Sequence, residues 1–474
     1  MLERNKRLEE LDKEHLWHPF TQMKEWLSGK PVIIEEGRDC FIKDVYGRWY
    51  LDGVSSMWVN VHGHGKTQLG DAIKRQVDKI SHSTLLGLGN VPAIELAEKL
   101  VNLLSPLSAS GATSNNVAES NNRTDSNKGT ALRRVFYSDN GSTAVEVALK
   151  IAFQYWHHVG VKGKTAFVAL NNAYHGDTIG AMSVGGIDIF HAAFGPLLFA
   201  TYKSPSPYCY RCELELDKRT CSMECLEKME DILKENGDRI AAVIVEPLIQ
   251  AAGGMITSPP GFLRGVRELC TRYGVLMIAD EVATGFGRTG RMFACEHESV
   301  APDIICLSKG ITGGYLPLAA TVTTESVFNA FLGEFKELKT FFHGHSYTGN
   351  PLGCACALAC MELFESEGTV AGLAPKIELL KNRLDGLSHL PHVGDVRNAG
   401  LMAGVELVRD KPGRTPYPYE EKMGWKVALK AMSMGVFIRP LGNVIVIMPP
   451  LSIPLSNLTA LLDCIEESIK EATA

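Results

Sequence analysis

Short apolar runs that end in polar residues recur along the chain. Residues 275–279 are apolar and precede Asp280, and residues 304–307 are apolar and precede Ser308 and Lys309. Runs of this length, bounded by turn residues, are typical of strands buried on both faces of a parallel sheet. Ligands bind beyond the carboxyl ends of such strands, so we expect Asp280 and Lys309 to lie in a binding site.

The pattern alternates between strands and helices over most of the chain. Strands are predicted at residues 135–137, 165–170 and 241–246, and helices at residues 68–80, 143–157 and 352–364. This alternation indicates an α/β fold with a mainly parallel sheet covered by helices on both faces. A hairpin at residues 40–51 and further strands at residues 402–407, 436–440 and 444–448 predict a smaller α+β domain.

Three regions are expected along the chain. Residues 1–65 form an N-terminal arm and part of the small domain, residues 66–345 form the large domain, and residues 346–474 form a connecting helix and the C-terminal small domain. Residues 105–130 are rich in Ser, Asn, Gly and Thr, which predicts a mobile polar insert in the large domain.

Composition favours a small-molecule role. The formal net charge of −6 and pI near 6.2 leave no basic footprint for nucleic acid or anionic membranes. No apolar run approaches the roughly 20 residues that span a bilayer. The first 14 residues mix acids and bases and lack a signal-peptide pattern, so we expect an intracellular protein.

The 12 cysteines are scattered, and one group is closely spaced. Its spacing is compatible with zinc, although the linker is short and free thiols are the alternative. We predict no metal. The group consists of Cys209, Cys212, Cys221 and Cys225.

Three features point to cofactor chemistry, each with a plainer alternative. An acid and an amine at neighbouring strand ends suit a Schiff-base lysine and a cofactor whose ring nitrogen needs an anion; otherwise Asp280 and Lys309 form a salt bridge. Gly141 and Ser142 open a helix, which offers a phosphate site or a simple cap. Tyr174 and His175 follow a strand, and this aromatic pair could stack on a planar cofactor or cap the core.

Two more segments add candidate chemistry, and a third contains a motif that does not. The loop 341–351 carries Ser346, a possible second phosphate contact. Arg439 lies in the predicted strand 436–440, where its partner is either a substrate carboxylate or an internal acid. The G-x-G-x-x-G run at residues 285–290 does not predict a dinucleotide site, because acids intervene after the strand and Lys309 ends the next one.

The segments 280–290 and 308–310 together resemble the class III pyridoxal-phosphate-dependent aminotransferases, and the likeness runs from about Trp17 to Pro450. Residues 17–21, 138–142, 174–178 and 437–440 resemble the branch of that class that acts in biotin synthesis. The resemblance implies a fold type I homodimer whose active sites lie at the subunit interface, with a large domain and a smaller α+β domain built from both chain ends.

The resemblance also implies roles for the cofactor residues. Lys309 would bond the aldehyde carbon of pyridoxal 5'-phosphate, Asp280 would hold its pyridine nitrogen, and Tyr174 would cover its ring. Gly141 and Ser142 would bind the phosphate.

Further roles are implied for a second subunit and the substrate. His345 and Ser346 would bind the phosphate in the partner subunit's site, with Gly344 near substrate. Arg439 would hold the carboxylate of 8-amino-7-oxononanoate.

The donor side of the pocket departs from the best-known bacterial pattern. Phe20 and Met57 replace a tyrosine and a tryptophan, ahead of Trp58. Members with this pattern resemble a branch in which lysine can replace S-adenosylmethionine as amino donor.

The expected reaction is therefore transamination of 8-amino-7-oxononanoate to 7,8-diaminononanoate. The alternatives are another ω-aminotransferase, acting on ornithine, 4-aminobutyrate or a β-amino acid, and a catalytically dead scaffold paralogue. The compartment would be the mitochondrial matrix in a eukaryote and the cytoplasm otherwise.

Overall fold

A computed structural model describes residues 2–109 and 130–474. Residues 110–129, the greater part of the predicted insert, lie outside the described residues. Residues 105–109 belong to the end of a helix, Val91–Ala109, and not to a loop as the composition predicts.

Eighteen strands are present in the described residues. In chain order they are β1 (Ile34–Arg38), β2 (Phe41–Asp44), β3 (Trp49–Asp52), β4 (Leu132–Ser138), β5 (Ala166–Leu170), β6 (Tyr202–Ser204), β7 (Ile240–Val245), β8 (Ile249–Gln250), β9 (Ile256–Thr257), β10 (Leu276–Asp280), β11 (Ile304–Leu307), β12 (Ala319–Thr324), β13 (Val393–Ala399), β14 (Met402–Asp410), β15 (Thr415–Pro416), β16 (Val436–Phe437), β17 (Pro440–Leu441) and β18 (Val444–Ile447).

The helices separate these strands along most of the chain. They are Leu2–His15, Met23–Ser28, Thr67–Lys79, Val91–Ala109, Gly141–His158, Ile179–Val184, Asp188–His191, Glu224–Asn236, Phe262–Arg272, Glu325–Asn329, Pro351–Ser366, Ala374–Leu387, Met423–Ser433 and Leu455–Ala472, with a single turn at Ser55–Trp58.

A seven-stranded sheet forms the centre of the molecule, in the order β4-β12-β11-β10-β7-β5-β6. β12 runs antiparallel to both of its neighbours, and the other pairings are parallel. Neighbouring side chains of one strand enter different cores: Met277 packs in one apolar cluster and Ile278 in another. Helices therefore cover both faces of the sheet, which agrees with the continuous apolar runs in the sequence.

Two smaller sheets join the chain ends. β1, β2, β3 and β16 form one sheet in that order, so a C-terminal strand pairs with β3 and extends the N-terminal hairpin. β13, β14, β18 and β17 form the other sheet, with β15 on its edge. The small region is thus built from both ends of the chain.

The predicted strand 436–440 is not continuous, and that prediction is wrong. β16 pairs with β3 in one sheet, whereas β17 pairs with β18 in the other. Ile438 and Arg439 lie between these strands, where the chain passes from one sheet to the next.

The thiols are unpaired. All 12 cysteines are free, and Cys209, Cys212, Cys221 and Cys225 are partly buried. Within residues 2–109 and 130–474, no group of three or more His, Cys, Asp or Glu side chains is placed to hold a metal ion. No helix of that part of the chain is long and apolar enough to cross a bilayer.

Candidate active site

Two neighbouring strands of the large sheet end at one edge, and a charged residue follows each. β10 ends in Asp280, β11 ends at Leu307, and the pair is parallel with Asp280 opposite Cys306. Lys309 begins a short 3-10 helix two residues after β11. The structure places both charged residues at the carboxyl edge of the sheet, as the apolar pattern predicts.

Lys309 is partly buried and lies against an aromatic ring. Its Nζ atom is 4.7 Å from the centroid of the Trp58 ring. Burial lowers the pKa of Lys309 from its ordinary value to about 8, while Asp280 and Glu246 act in the opposite direction. More of this amine is neutral near pH 7 than of a surface lysine, and the neutral amine is the nucleophile in Schiff-base chemistry.

Asp280 is buried, and both of its carboxylate oxygens have partners. Oδ1 accepts a hydrogen bond from the backbone N–H of Val282 at 3.0 Å. Oδ2 lies 2.7 Å from Nδ1 of His175, which is also buried. In the described part of the chain no ion pair joins Asp280 to Lys309, so these two residues do not form the alternative salt bridge.

A helix begins beside these strand ends and leaves backbone donors free. Asn140 caps the helix Gly141–His158 by accepting a hydrogen bond from the backbone N–H of Thr143. The backbone N–H groups of Gly141 and Ser142 have no partner among the described residues. Free N–H groups and the positive end of the helix dipole favour an anion such as phosphate at this position.

At two glycines beside this helix start there is no room for a side chain. A Cβ atom at Gly141 would lie 2.5 Å from Cγ1 of Val282, and one at Gly176 would lie 2.4 Å from Oγ of Ser142. Gly176 also has a φ of 121°. The Ser142 hydroxyl is 2.7 Å from the Thr178 hydroxyl and accepts the Thr178 N–H at 3.0 Å. Only glycine lets these segments approach so closely.

Tyr174 and Glu246 connect the ends of β5 and β7. The backbone N–H of Tyr174 donates to Oε1 of Glu246 at 3.1 Å, and the N–H of Ala251 donates to Oε2 at 2.9 Å. The Tyr174 hydroxyl donates to Asp177 at 2.8 Å. Burial raises the pKa of Glu246 to about 7.

Arg439 has no acidic partner in the described part of the chain. Its Nη2 donates to the backbone carbonyl of Phe20 at 3.3 Å, and its guanidinium lies 5.6 Å from the Trp425 ring centroid. Burial lowers the pKa of Arg439 from its ordinary value. The internal acid that would have explained this arginine is therefore missing, which leaves the guanidinium able to bind an external carboxylate.

Ring contacts connect Arg439 with the cofactor-side residues. Phe20, whose carbonyl accepts from Arg439, packs its ring 5.2 Å from the Phe190 ring. The Phe190 ring in turn lies 6.2 Å from the ring of Tyr174. Contacts through Phe20 and Phe190 thus link Arg439 to Tyr174.

Within the described residues, the loop at residues 344–346 makes its one ion pair with Asp139, just before the start of the helix Gly141–His158. His345 is 3.5 Å from Asp139 and its Nε2 is buried without a partner, while Gly344 and Ser346 are exposed. In the described residues no hydrogen bond or ion pair joins this loop to Lys309, Asp280 or Ser142. Its predicted role in a partner's site stays a prediction.

Comparison with known proteins agrees with this geometry. Residues 23–469 match the family model for aminotransferase class-III. The chain belongs to the class III aminotransferases. These are pyridoxal phosphate enzymes, so the predicted family, reaction class and cofactor are confirmed.

Individual relatives are similar over almost their whole length. The adenosylmethionine-8-amino-7-oxononanoate aminotransferase of Geobacter sulfurreducens is 53% identical over 467 residues, covering 98% of each chain. The crystal structure of the protein of that name from Methanocaldococcus jannaschii is 47% identical, with a TM-score of 0.90, and the match covers 99% of this chain and 100% of that one.

A second solved structure is more distant in sequence. An amine transaminase from an uncultivated Pseudomonas species, in its PLP-bound form, is 34% identical, with a TM-score of 0.88 and coverage of 97% and 99%. These matches confirm the predicted fold type I class III architecture.

The roles of two residues of this class III aminotransferase were not predicted from sequence. His175 pairs with Asp280, and Glu246 holds the backbone of Tyr174. Successive side chains of an extended segment point in opposite directions, so a Tyr174 facing the site implies a His175 facing the sheet. That alternation was the available signal for His175. The strand-end position of Glu246 was the corresponding signal for it.

Proposed function

We propose that the chain transfers an amino group from S-adenosylmethionine or lysine to the ketone of 8-amino-7-oxononanoate, forming 7,8-diaminononanoate in biotin biosynthesis. The relatives that carry this activity in their names match along nearly the whole chain. The observation that carries the substrate assignment is Arg439, a partly buried guanidinium without an acid beside it. The oxononanoate carboxylate supplies the bidentate partner that this arginine lacks.

The residues at the sheet edge fit pyridoxal phosphate. Lys309 offers an amine to its aldehyde carbon, and Asp280 offers an anion to its pyridine nitrogen. The free N–H groups of Gly141 and Ser142 offer donors to its phosphate. Tyr174 would cover the ring, with its hydroxyl held by Asp177. The cofactor, when bound, supplies the electron sink for the bonding pair released at the substrate carbon.

The chain supplies the proton transfers. With its amine free, Lys309 Nζ would take the proton from the amine-bearing carbon of the donor. Its lowered pKa, about 8, leaves a useful fraction of the amine neutral for this step. Asp280, held by His175 and the Val282 N–H, would keep a proton on the ring nitrogen of the bound cofactor. In the second half-reaction the same groups act on the oxononanoate in the opposite direction.

The donor side of the pocket would contain Phe20, Met57 and Trp58. Phe20 and Met57 expose 56% and 45% of their surfaces in the isolated chain, so both are available for contact. A phenylalanine offers no hydroxyl to a polar donor, and methionine adapts its shape to different side chains. Both features are compatible with a lysine donor as well as with S-adenosylmethionine.

The enzyme would work as a homodimer with shared active sites. Large apolar side chains of the described residues are exposed in the single chain, including Trp17 at 88% and Phe342 at 71%. A partner subunit that covered them would remove their apolar surface from water. Gly344, His345 and Ser346 would then enter the partner subunit's site. The reaction would take place in the cytoplasm of a prokaryote, or in the mitochondrial matrix if the source is eukaryotic.

A different ω-aminotransferase specificity is the second candidate, since an amine transaminase shares the fold with a TM-score of 0.88. Single-turnover spectroscopy separates the two. Enzyme loaded with pyridoxal phosphate is mixed with S-adenosylmethionine, lysine, ornithine or 4-aminobutyrate, and conversion to pyridoxamine phosphate is followed by absorbance. Conversion by S-adenosylmethionine or lysine, reversed by 8-amino-7-oxononanoate, supports the proposal. Conversion by ornithine or 4-aminobutyrate alone would support the second candidate.

A further inference from the structure

The turn Ser55–Trp58 has a backbone conformation that residues other than glycine rarely adopt. Its four successive residues have φ values of 50°, 46°, 70° and 72°, and ψ is 54° at Ser56 and 49° at Met57. These angles describe a left-handed helical turn, in which each Cβ crowds the following carbonyl oxygen. Such a conformation persists only where the surrounding structure holds it.

Asp52 is fully buried beneath the start of this left-handed turn. Its Oδ1 accepts hydrogen bonds from the backbone N–H groups of Val54 at 3.3 Å and Ser56 at 3.0 Å. Its Oδ2 accepts the Ser56 hydroxyl at 2.7 Å and faces Nε2 of His64 at 3.0 Å. Bonds to a carboxylate are stronger than neutral ones, and here they fix the residue at the middle of the strained segment.

Other contacts fix the ends of the left-handed turn. The Ser55 hydroxyl donates to the carbonyl of Met448 at 2.7 Å. The carbonyl of Trp58 accepts from Nη2 of the buried Arg288 at 3.2 Å. Among the described residues, the backbone of Ser56 and Met57 accepts or donates no such tertiary hydrogen bond other than the one from the Ser56 N–H to Asp52.

The left-handed turn gives its last two residues different environments. Met57 exposes 45% of its surface, whereas the adjacent Trp58 exposes 6%. The Trp58 ring is the one that lies 4.7 Å from Lys309 Nζ. In a right-handed backbone the side chains of Met57 and Trp58 would point in other directions. The turn conformation therefore determines that the Trp58 ring lies beside Lys309 and that Met57 is available to the donor.

We infer that Asp52 and Ser56 are positioning residues, which maintain the left-handed turn and thereby place Trp58 against Lys309 and Met57 in the donor pocket. Neither residue touches the reacting atoms in this arrangement. The inference rests on the proposed function for the assignment of Met57 and Trp58 to the pocket, and on the geometry alone for the turn.

Substitutions at Ser56 provide a matched pair. Ser56→Ala and Ser56→Gly both remove the hydroxyl bond to Asp52, but only glycine accepts the positive φ without a Cβ penalty. Asp52→Ala removes all four bonds, and Asp52→Asn retains an acceptor for the backbone N–H groups. The Ser56 pair decides the question by itself if Asp52→Ala does not fold.

The position of Trp58 can be read without an activity assay. The chain has 6 tryptophans, so the enzyme labelled with 5-fluorotryptophan and loaded with cofactor should give 6 fluorine NMR signals, of which Trp58→Phe identifies one. Steady-state kcat and KM for each amino donor provide the second readout.

We expect Ser56→Ala and Asp52→Ala to displace the Trp58 signal and to lower kcat/KM by about tenfold or more. Ser56→Gly should keep the signal close to its original position and retain most of kcat/KM, and Asp52→Asn should lie between. Equal behaviour of the alanine and glycine variants, or an unmoved Trp58 signal in Asp52→Ala, would overturn the inference. A wild-type enzyme inactive on 8-amino-7-oxononanoate would contradict the proposed function, while the NMR comparison would still test the turn.

Discussion

His175 Nδ1 lies 2.7 Å from Asp280 Oδ2, and both side chains are buried. The contact fixes the carboxylate that is proposed to face the cofactor's ring nitrogen. His175→Ala would leave Oδ2 without a partner inside the protein. We expect kcat to fall by about tenfold or more with a smaller change in KM, and stability to fall by about 1–3 kcal/mol.

His175→Asn is the matched control, because its amide nitrogen can occupy the place of Nδ1 and donate to Oδ2. Steady-state kinetics and urea unfolding of the two variants check the prediction. Equal kcat in wild type and His175→Ala would show that Asp280 needs no support from this histidine.

The pKa of Lys309 predicts a pH-dependent stability. In the folded, cofactor-free protein burial lowers it to about 8, whereas the unfolded chain has the ordinary value of 10.5. Between these values the unfolded state binds more protons, so the contribution of Lys309 to stability rises as pH increases through this window. The destabilising effect of the buried ammonium is fully present below pH 8.

Lys309→Met removes this titration. The stability advantage of the variant over wild type should be largest near about pH 7 and shrink by about 2 kcal/mol by about pH 9.5. Urea unfolding of both cofactor-free proteins at the two pH values measures it. A stability difference that does not change with pH would mean that the Lys309 amine titrates normally.

Substitution of Gly176 by alanine is expected to weaken cofactor binding. A Cβ at this position would lie 2.4 Å from the Ser142 side chain, and φ is 121°. We expect Gly176→Ala to displace Ser142 and to weaken cofactor affinity by about tenfold to a hundredfold. Gly70→Ala is the control, because a Cβ at Gly70 in the helix Thr67–Lys79 would meet nothing within 4 Å. Fluorescence titration with pyridoxal phosphate measures both, and equal affinities would contradict the prediction.

The sheet and the strand-end residues could be predicted because their signals are local. In the apolar runs before Asp280 and Lys309, a few consecutive residues are enough to predict that a strand forms, that it is buried and where it ends. His175 and Asp280 are 105 residues apart in sequence, and nothing local states that they pair. Tertiary contacts of that kind depend on how the strands are ordered in the sheet.

Arg439 shows a different limit. The apolar run 436–440 has the composition of one strand, but its two halves pair in different sheets. The hydrophobic pattern predicts that both halves are buried, but it does not predict which sheet each half joins. The left-handed turn at Ser55–Trp58 could not be predicted from sequence either, because it contains no glycine, the residue that usually indicates a positive φ.

The free guanidinium of Arg439 predicts how the enzyme discriminates between substrates. Wild type should prefer 8-amino-7-oxononanoate over its methyl ester by about a hundredfold in kcat/KM, since the ester lacks the charged partner. Arg439→Met should lose this preference while its activity on the ester stays close to that of wild type. Competition kinetics with the two compounds measures the ratio.

The most direct test of the central claim is product formation. Purified enzyme loaded with pyridoxal phosphate is incubated with 8-amino-7-oxononanoate and either S-adenosylmethionine or lysine, with Lys309→Ala as the control, and the products are identified by mass spectrometry. We predict 7,8-diaminononanoate from wild type with at least one of the two donors, and none from Lys309→Ala. Absence of this product with both donors, from an enzyme that transaminates ornithine or 4-aminobutyrate, would contradict the assignment.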